Sequence, residues 1–216
     1  MKIAPSIIAA DFTKLSREIK VIEKVGADMI HLDIMDGVFV PNITFGPMIV
    51  QVINRMTHLE LDAHLMIIKP EKYFARFIET GANWVSFHIE TVANVKESIK
   101  FIKKNKCRAG VAVNPKTPLK EILPYIKDLD FLLIMTVHPG FYGQKFIPEI
   151  LRKIEQARKF IDKNKLRCLI QVDGGINREN AKVVCRAGAD ILVAGAGIFK
   201  TSDYKKAIKE LRCSRI

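Results

Sequence analysis

The sequence has few cysteines, and none of them stands in a pattern through which cysteines usually act. The four thiols lie far apart without a CxxC pair, which excludes a zinc ribbon and a disulfide framework: Cys107, Cys168, Cys185 and Cys213. Because reduced thiols are usual in the cytoplasm, we expect a cytoplasmic protein. The first residues lack the apolar core of a secretion signal, and no apolar run approaches the roughly 18 residues of a membrane span.

Acidic residues are too few to balance the basic ones, with 23 Asp and Glu against 35 Lys and Arg and a net charge of +12. Such a charge suits nucleic acid, an acidic membrane surface or small anions. However, the basic residues are scattered over stretches such as 96–106 and 152–165, without a dense tail or interleaved aromatics, which favours solvated helix faces. We therefore expect no nucleic-acid and no membrane partner, and keep a basic nucleic-acid-binding protein as the alternative from a different class.

Short apolar runs alternate with longer amphipathic stretches along all 216 residues. The apolar runs predict strands at 3–8, 29–34, 59–66, 84–88, 107–113, 131–137, 168–172 and 191–194. The amphipathic stretches predict helices at 13–25, 48–55, 70–79, 94–105, 118–125, 148–162, 178–187 and 203–211. Thr13 is the expected N-cap of the first helix. Strands that are apolar almost throughout are typical of parallel strands covered on both faces.

This strict alternation predicts one (β/α)8 TIM barrel, a single domain over residues 1–216. Gly26, Gly81 and Gly188 each stand where a predicted helix ends just before an apolar strand, as helix-ending glycines do. A doubly wound open sheet is the alternative, but eight units in this length leave little room for its insertions. No GxGxxG sequence follows the first strand, so a dinucleotide-binding fold has no support.

Four side chains with metal-ligating chemistry stand at the ends of predicted strands. His31 and Asp33 are two residues apart on the second strand and therefore share a face. His64 ends the third strand and Asp173 the seventh. Because the carboxyl ends of barrel strands converge on one site, we predict that the four meet there. Two imidazoles and two carboxylates suit Zn²⁺, Fe²⁺ or Mn²⁺, whereas any one of them alone could be an ordinary hydrogen-bonded core residue.

Other side chains at these strands receive weaker interpretations. His88 ends the fourth strand, and we expect it to support the site rather than bind the metal. Asp62 lies deeper in the third strand and is interpreted as structural. Methionine usually fills gaps in a core, but methionines at strand ends could also form an apolar cap over a reacting carbon. The three candidates for that cap are Met35, Met66 and Met135.

Glycine-rich loops follow the last three predicted strands, at 139–144, 174–175 and 195–197. Glycines let backbone N–H groups converge on an oxyanion, and the loops after strands seven and eight form the usual phosphate site of such barrels. The alternative is that these glycines only permit tight turns. The predicted anion-binding residues are Gly140, Phe141, Tyr142, Gly143, Gly174, Gly175, Gly195 and Ala196.

Seven segments together make the sequence resemble the ribulose-phosphate 3-epimerase family over essentially its whole length. They are APSI at 4–7, HLDIMDG at 31–37, VPN at 40–42 with GP at 46–47, DAHLM at 62–66, NPKTP at 114–118, PGF at 139–141 and VDGGI at 172–176. The resemblance implies a barrel of the ribulose-phosphate-binding type with one divalent metal ion per subunit. It implies that His31, Asp33, His64 and Asp173 hold this ion, with zinc expected first and iron, manganese or cobalt as alternatives.

The resemblance also implies an activity, the interconversion of D-ribulose 5-phosphate and D-xylulose 5-phosphate in the pentose phosphate pathway. Asp33 and Asp173 would be the acid/base pair acting through an enediolate, Ser6 and His64 would touch the substrate, and the glycine loops would hold its phosphate. Family members commonly associate, so we expect a homo-oligomer. A 3-epimerase of a hexulose 6-phosphate such as D-allulose 6-phosphate is the alternative enzyme. A phosphosugar lyase is disfavoured because no lysine stands at a strand end.

Two loops depart from the family pattern. The family usually has Gly-Ser after the eighth strand, where this chain has Gly195 and Ala196 and thus one hydroxyl fewer for the phosphate. The loop after the sixth strand usually reads NPGFGGQ. His138 and Tyr142 replace an Asn and a Gly there, which we expect to stiffen the loop. Neither departure touches the predicted metal ligands.

Overall fold

Eight parallel strands close into one barrel in a computed structural model, which describes residues 1–212. The strands are β1 (Lys2–Pro5), β2 (Met29–Met35), β3 (Glu60–Met66), β4 (Trp84–His88), β5 (Arg108–Val113), β6 (Phe131–Met135), β7 (Leu169–Asp173) and β8 (Ile191–Ala194). From β2 to β8, each strand pairs with its neighbour along the chain, and β8 pairs with β1. A parallel bridge between Ser6 and His31 joins β1 to β2 and closes the cylinder. The predicted (β/α)8 barrel is confirmed.

Helices surround the barrel, and the described residues contain eight α-helices. They are α1 (Leu15–Lys24), α2 (Pro47–Asn54), α3 (Phe74–Glu79), α4 (Val95–Lys104), α5 (Leu151–Lys163), α6 (Ala181–Ala187), α7 (Ala196–Phe199) and α8 (Tyr204–Leu211). Short 3-10 segments precede several of them, for example Phe12–Lys14, Pro70–Lys72 and Pro148–Ile150. Among residues 1–212, none of the helices has both the length and the apolar character that crossing a bilayer requires.

The number of α-helices agrees with the prediction, but two of the positions differ. The helix predicted at 118–125 is wrong, because the chain there forms two 3-10 segments, Leu119–Glu121 and Leu123–Asp128. Pro124 has no N–H to donate and so cannot complete an α-helical turn. The short helix α7, directly after β8, was not predicted.

The start of the first helix also differs from the prediction. The carboxylate of Asp11 accepts hydrogen bonds from the backbone N–H and the hydroxyl of Thr13, at 3.0 and 2.6 Å. Asp11 is therefore the N-cap of a 3-10 turn, Phe12–Lys14, which precedes α1, and Thr13 lies within this turn instead of capping the helix. Likewise, β1 ends at Pro5 and not at residue 8, since Ile7–Ala9 form a 3-10 turn.

The glycine joints between helices and strands are confirmed. Gly26, Gly81 and Gly188 have φ angles of 93°, 111° and 120°, which side chains with a Cβ rarely adopt. Each therefore stops its helix and turns the chain into the following strand.

An apolar floor closes the barrel at the amino ends of its strands. Trp84 and Phe131 are fully buried there, with ring centroids 5.1 Å apart. The guanidinium carbon of Arg108 lies 4.7 Å from the centroid of the Trp84 ring. Gly110 makes room for Phe131, because a Cβ at that position would stand 2.2 Å from the ring. The polar side chains of the interior therefore lie towards the carboxyl ends of the strands.

Adding a methyl group to Gly110 should destabilise this floor. We expect Gly110→Ala to lower the free energy of unfolding by about 1–3 kcal/mol, because the Phe131 ring has to move within a packed core. Urea denaturation measures the change. Gly46→Ala is the matched control, since no heavy atom lies within 4 Å of its added Cβ, and should cost less than about 1 kcal/mol. Equal stability of the two variants would contradict the proposed role of the glycine.

Candidate metal centre and active site

The four predicted metal ligands converge above the apolar floor, at the carboxyl ends of β2, β3 and β7. In the register of β2 and β3, Asp33 pairs with His64. The Nε2 atom of His31 lies 3.5 Å from Asp33 Oδ1 and 3.8 Å from Asp173 Oδ2. The Nδ1 atom of His64 lies 3.7 Å from each of the same two oxygens. One donor atom from each residue thus falls within 4.8 Å of all the others.

This arrangement fits a divalent cation. His31 Nε2 and His64 Nδ1 are buried, and neither has a hydrogen-bond partner among residues 1–212. A buried polar atom without a partner is costly, and a cation between the two imidazoles and the two carboxylates would remove that cost. The separations of 3.5–3.8 Å are close to the edge of about 3.4 Å in a tetrahedron of ligands around zinc. The residues therefore form a possible metal site, and the same donors suit other divalent transition metals.

His31 is oriented by a carboxylate on its far side. Asp62 Oδ2 lies 2.7 Å from His31 Nδ1, and Gln171 Nε2 donates to the same oxygen at 2.5 Å. Burial alone would lower the pKa of His31, but the carboxylates of Asp62 and Asp33 outweigh it and raise this pKa well above its usual value. Asp62 is thus buried and hydrogen-bonded, in agreement with the structural role predicted for it, and the imidazole it contacts is that of a predicted ligand. Its partner could be found only from the register that pairs it with His31.

The electrostatics at Asp33 and His64 follow from the same mutual attraction. Burial opposes charge on Asp33, but the neighbouring imidazoles of His31 and His64 hold the pKa of its carboxyl well below its usual range. Burial also works to lower the pKa of His64, yet Asp173 and Asp33 raise it. Carboxylates that hold a proton on these imidazoles would equally favour a cation in its place. The site therefore provides the ionised carboxylate of Asp33 to whatever positive charge occupies it.

His88 contacts a predicted ligand but lies outside the ligand set. Its Nε2 atom is 2.9 Å from His64 Nε2, on the side of that ring away from the carboxylates. Burial, strengthened by the charge of His64 and opposed by that of Glu90, lowers the pKa of His88 to about 4. His88 is therefore neutral near pH 7, in line with the supporting position expected for it.

A cavity of about 190 Å³ opens directly above the carboxylates. Asp33 and Asp173 reach its wall, whereas His31 and His64 lie beneath them and are fully buried. The hydroxyl of Ser6 donates to Asp33 Oδ2. Other predicted residues that line the cavity are Met35, Met66, Met135, Gly140, Phe141, Tyr142, Gly143, Gly174, Gly175, Gly195 and Ala196. A direct contact of His64 with a substrate stays a prediction.

Two glycines allow the loops of the cavity rim to approach closely. Gly175 has a φ of 66°, and a Cβ there would stand 2.6 Å from the backbone nitrogen of Phe146. A Cβ at Gly197 would stand 2.4 Å from the carbonyl oxygen of Ile176. Ala196 and Gly197 are also the first residues of α7, so their backbone N–H groups have no carbonyl partner within the helix. The rim therefore combines close backbone packing with N–H groups available to a ligand.

The loop after β6 is held by contacts from distant parts of the chain. Asn42 Nδ2 donates to the carbonyl oxygen of Gly140 at 2.7 Å. The Lys200 ammonium lies 5.7 Å from the centroid of the Tyr142 ring. Within the loop, Gln144 Nε2 donates to the carbonyl oxygens of His138 and Phe141. Sequence reasoning missed Asn42, Lys200 and Gln144 as partners of the loop, because only the fold brings the first two near it.

Comparison with known proteins agrees with the geometry. The model of the ribulose-phosphate 3-epimerase family matches residues 2–199. The chain is 50% identical to ribulose-phosphate 3-epimerase of Bacillus subtilis over 216 residues, with all of both chains covered. It is 45% identical to the Synechocystis protein of the same name, covering 99% of this chain and 94% of that one.

Solved structures of other enzymes share the fold. The 3-hexulose-6-phosphate synthase of Salmonella typhimurium superposes with a TM-score of 0.72 at 16% identity, over 98% of this chain and 96% of that one. At this identity the likeness extends to the fold alone. The family match and the identities to curated relatives decide the assignment. The chain therefore belongs to the ribulose-phosphate 3-epimerase family.

Proposed function

We propose that this chain is a metal-dependent ribulose-phosphate 3-epimerase that interconverts D-ribulose 5-phosphate and D-xylulose 5-phosphate. One observation carries the proposal: Asp33 and Asp173 meet at the base of a cavity, within a buried set of four possible metal ligands. The names of curated relatives that are 39–50% identical supply the substrate class.

The two carboxylates suit an epimerisation that proceeds through proton transfer. Inverting carbon 3 of a ketose phosphate requires one group to remove a proton next to the carbonyl and another to return a proton on the opposite face. Asp33 reaches the cavity from β2 and Asp173 from β7, on separate strands of the barrel. One aspartate removes the proton, an enediolate forms, and the other aspartate delivers a proton to the opposite face. The Ser6 hydroxyl holds Asp33 by its second oxygen.

His31, Asp33, His64 and Asp173 would hold the metal ion. When bound, a divalent cation supplies Lewis-acid stabilisation of the negative charge that develops on the substrate oxygens. Zinc is our first choice, because two imidazoles and two carboxylates are common zinc ligands, and iron, manganese and cobalt are the alternatives. Asp62 keeps His31 turned towards the other three ligands.

The glycine loops would hold the phosphate of the substrate at the cavity rim. Gly174, Gly175, Gly195 and Ala196 line the cavity together with the loop 140–143, and their backbone N–H groups would donate to the phosphate. Binding the remote phosphate positions carbon 3 between the aspartates. The methionine side chains would exclude water from the reacting carbon.

Restoring the missing rim hydroxyl should strengthen phosphate binding. We expect Ala196→Ser to lower KM for ribulose 5-phosphate about three- to tenfold with little change in kcat, because a hydroxyl could donate to the anionic phosphate. The exposed Ala93 gives the matched control Ala93→Ser, which should leave KM unchanged. Steady-state kinetics of both variants measures the effect. An unchanged KM in Ala196→Ser would place the phosphate away from this residue.

The proposal extends to assembly and compartment. Val38, Ile43 and Met48, in and after the loop that follows β2, expose 69–75% of their surface, which favours burial against a second copy of the chain. Cys107 and Cys168 are buried free thiols, Cys185 is also buried, and Cys213 lies outside the described residues. Free thiols favour a reducing compartment such as the cytoplasm. Light scattering of the purified protein tests the homo-oligomer.

Turnover on two sugars, together with metal analysis, tests the proposed function. We expect kcat/KM for ribulose 5-phosphate to exceed that for allulose 6-phosphate at least about tenfold, because a hexulose places the phosphate one carbon further from the reacting centre. Plasma emission spectroscopy should find about one divalent metal ion per chain in the active preparation. A preference for the hexulose phosphate would reassign the substrate, and no turnover of either sugar would refute the proposal.

A further inference from the structure

A second carboxylate, Glu90, lies behind the ligand His64 and is connected to it through His88. His64 turns its Nδ1 atom to Asp33 and Asp173 and its Nε2 atom to His88. The other ring nitrogen of His88, Nδ1, lies 3.2 Å from Glu90 Oε2. Three titratable groups thus form one line that leads out of the metal site.

Only one placement of protons satisfies every atom of this line. If His64 Nδ1 offers its lone pair to a cation, its proton must sit on Nε2, which then donates to His88 Nε2. His88 therefore carries its own proton on Nδ1 and donates it to Glu90. The direction of both hydrogen bonds follows from the need of Glu90 for a donor. A change at Glu90 therefore reaches His64 without touching it.

The carboxylate of Glu90 is itself held in place by the loop that follows β5. Its second oxygen, Oε1, accepts hydrogen bonds from the Thr117 hydroxyl and, at 3.1 Å, from the backbone N–H of Asn114. Both oxygens of Glu90 are thus engaged, one towards the metal site and one towards the loop. The carboxylate cannot turn away from His88 without losing both bonds to the loop.

A lysine of α5 anchors that loop from the outside of the barrel. The Lys153 ammonium donates to the carbonyl oxygens of Asn114, Pro115 and Thr117, at 3.0, 2.8 and 2.8 Å. All three donors of the ammonium are thus used on one short loop. The network therefore runs from α5 through the loop, Glu90 and His88 to His64, all within described residues.

We propose that Glu90 is a positioning residue of the metal centre, which fixes the tautomer and orientation of His64 through His88 and is anchored by Thr117 and Lys153. The proposal rests on the proposed function, because it assumes that His64 binds a metal. Glu90 would orient His64 through His88, just as Asp62 orients His31 by a direct hydrogen bond. A carboxylate behind a ligating imidazole makes the imidazole nitrogen a better electron-pair donor to the metal. Loss of such a carboxylate weakens metal binding about ten- to a hundredfold.

Zinc affinity of the purified full chain tests the proposal. Competition with a chromophoric chelator gives the dissociation constant for zinc in the wild type and in Glu90→Gln, which keeps the size of the side chain and removes its charge. We expect the zinc dissociation constant of Glu90→Gln to rise about ten- to a hundredfold. The matched control Glu121→Gln, at an exposed position, should bind zinc as the wild type does.

A second pair of variants tests the far end of the network and covers the case in which Glu90→Gln fails to fold. Lys153→Met should raise the zinc dissociation constant about three- to tenfold, whereas Lys159→Met, at an exposed position of the same helix, should not. The visible absorption spectrum of the cobalt-loaded protein reports ligand geometry, and should change in Glu90→Gln and Lys153→Met alone. A general loss of stability would not alter that spectrum.

The outcomes separate this proposal from the proposed function. If the wild type binds zinc, and Glu90→Gln and Lys153→Met bind it equally well with unchanged cobalt spectra, the positioning role of Glu90 is overturned while the metal site stands. If the wild type itself binds neither zinc nor cobalt, the metal-dependent function falls, and this proposal falls with it.

Discussion

Asp173→Asn is expected to lower kcat for ribulose 5-phosphate by at least about a thousandfold, with circular dichroism unchanged. The amide keeps the shape of the side chain but cannot take up or release the proton that epimerisation requires. Asp33→Asn should have the same effect, because each face of carbon 3 needs its own carrier. Asp128→Asn, at an exposed position, is the control and should retain wild-type turnover. A rate near that of the wild type in either active-site variant would refute the two-carboxylate mechanism.

Metal content and isotope exchange separate loss of the proton carrier from loss of the metal. Each variant should be reloaded with zinc, and its bound metal measured, before its rate is interpreted. In deuterated water, Asp173→Asn should introduce deuterium at carbon 3 of one epimer only, and Asp33→Asn at carbon 3 of the other. Exchange into both epimers by a single variant would mean that one aspartate serves both faces.

Removal of the metal is expected to reduce turnover at least about a hundredfold, because the charge that develops on the substrate oxygens would lose its Lewis-acid stabilisation. Dialysis against a chelator, followed by titration with zinc, iron, manganese or cobalt, measures the loss and its recovery. The same chelator saturated with zinc is the control. Full activity in a preparation with less than about one-tenth equivalent of metal would contradict the metal-dependent mechanism.

Stability should change together with activity. Without a cation, the buried His31 Nε2 and His64 Nδ1 atoms lack partners within residues 1–212. Free zinc at a thousand times its dissociation constant would stabilise the fold by about 4 kcal/mol. For a domain of this size, the melting temperature should then rise by about 8–16 °C. Calorimetry with and without zinc measures the shift, which should be absent when His64 is replaced by alanine.

The alternation of apolar and amphipathic runs was sufficient to predict the barrel. Each strand is buried on both faces and is therefore apolar almost throughout, and the helix that follows it must cover the barrel with one apolar face. Trp84–His88 and Ile191–Ala194 begin and end where predicted. The start of the first helix and the helix at 118–125 were predicted wrongly, because one local interaction outweighed the periodicity of apolar residues. These interactions are the cap at Asp11 and the missing N–H of Pro124. Such interactions involve one or two atoms and leave no periodic pattern.

The four possible metal ligands were predictable, because parallel strands bring their carboxyl ends to one place and His31, Asp33, His64 and Asp173 stand at those ends. The residues that contact these ligands from behind, directly or through His88, could not be predicted. Asp62 was interpreted as structural, and Glu90 was not singled out at all. Their partners are set by strand register and by a loop from another crossover, which residue types alone do not reveal.

The sequence by itself therefore determined the class of fold, the family and the chemistry at the strand ends, since these depend on periodicity and on the types of residue present. Only the tertiary structure decided which ring nitrogens face the metal site and that the imidazoles lie beneath the carboxylates. It also decided that the loop after β5, Glu90 and His88 connect Lys153 to His64. These features depend on distances between residues far apart in the chain, and packing of the closed barrel sets those distances.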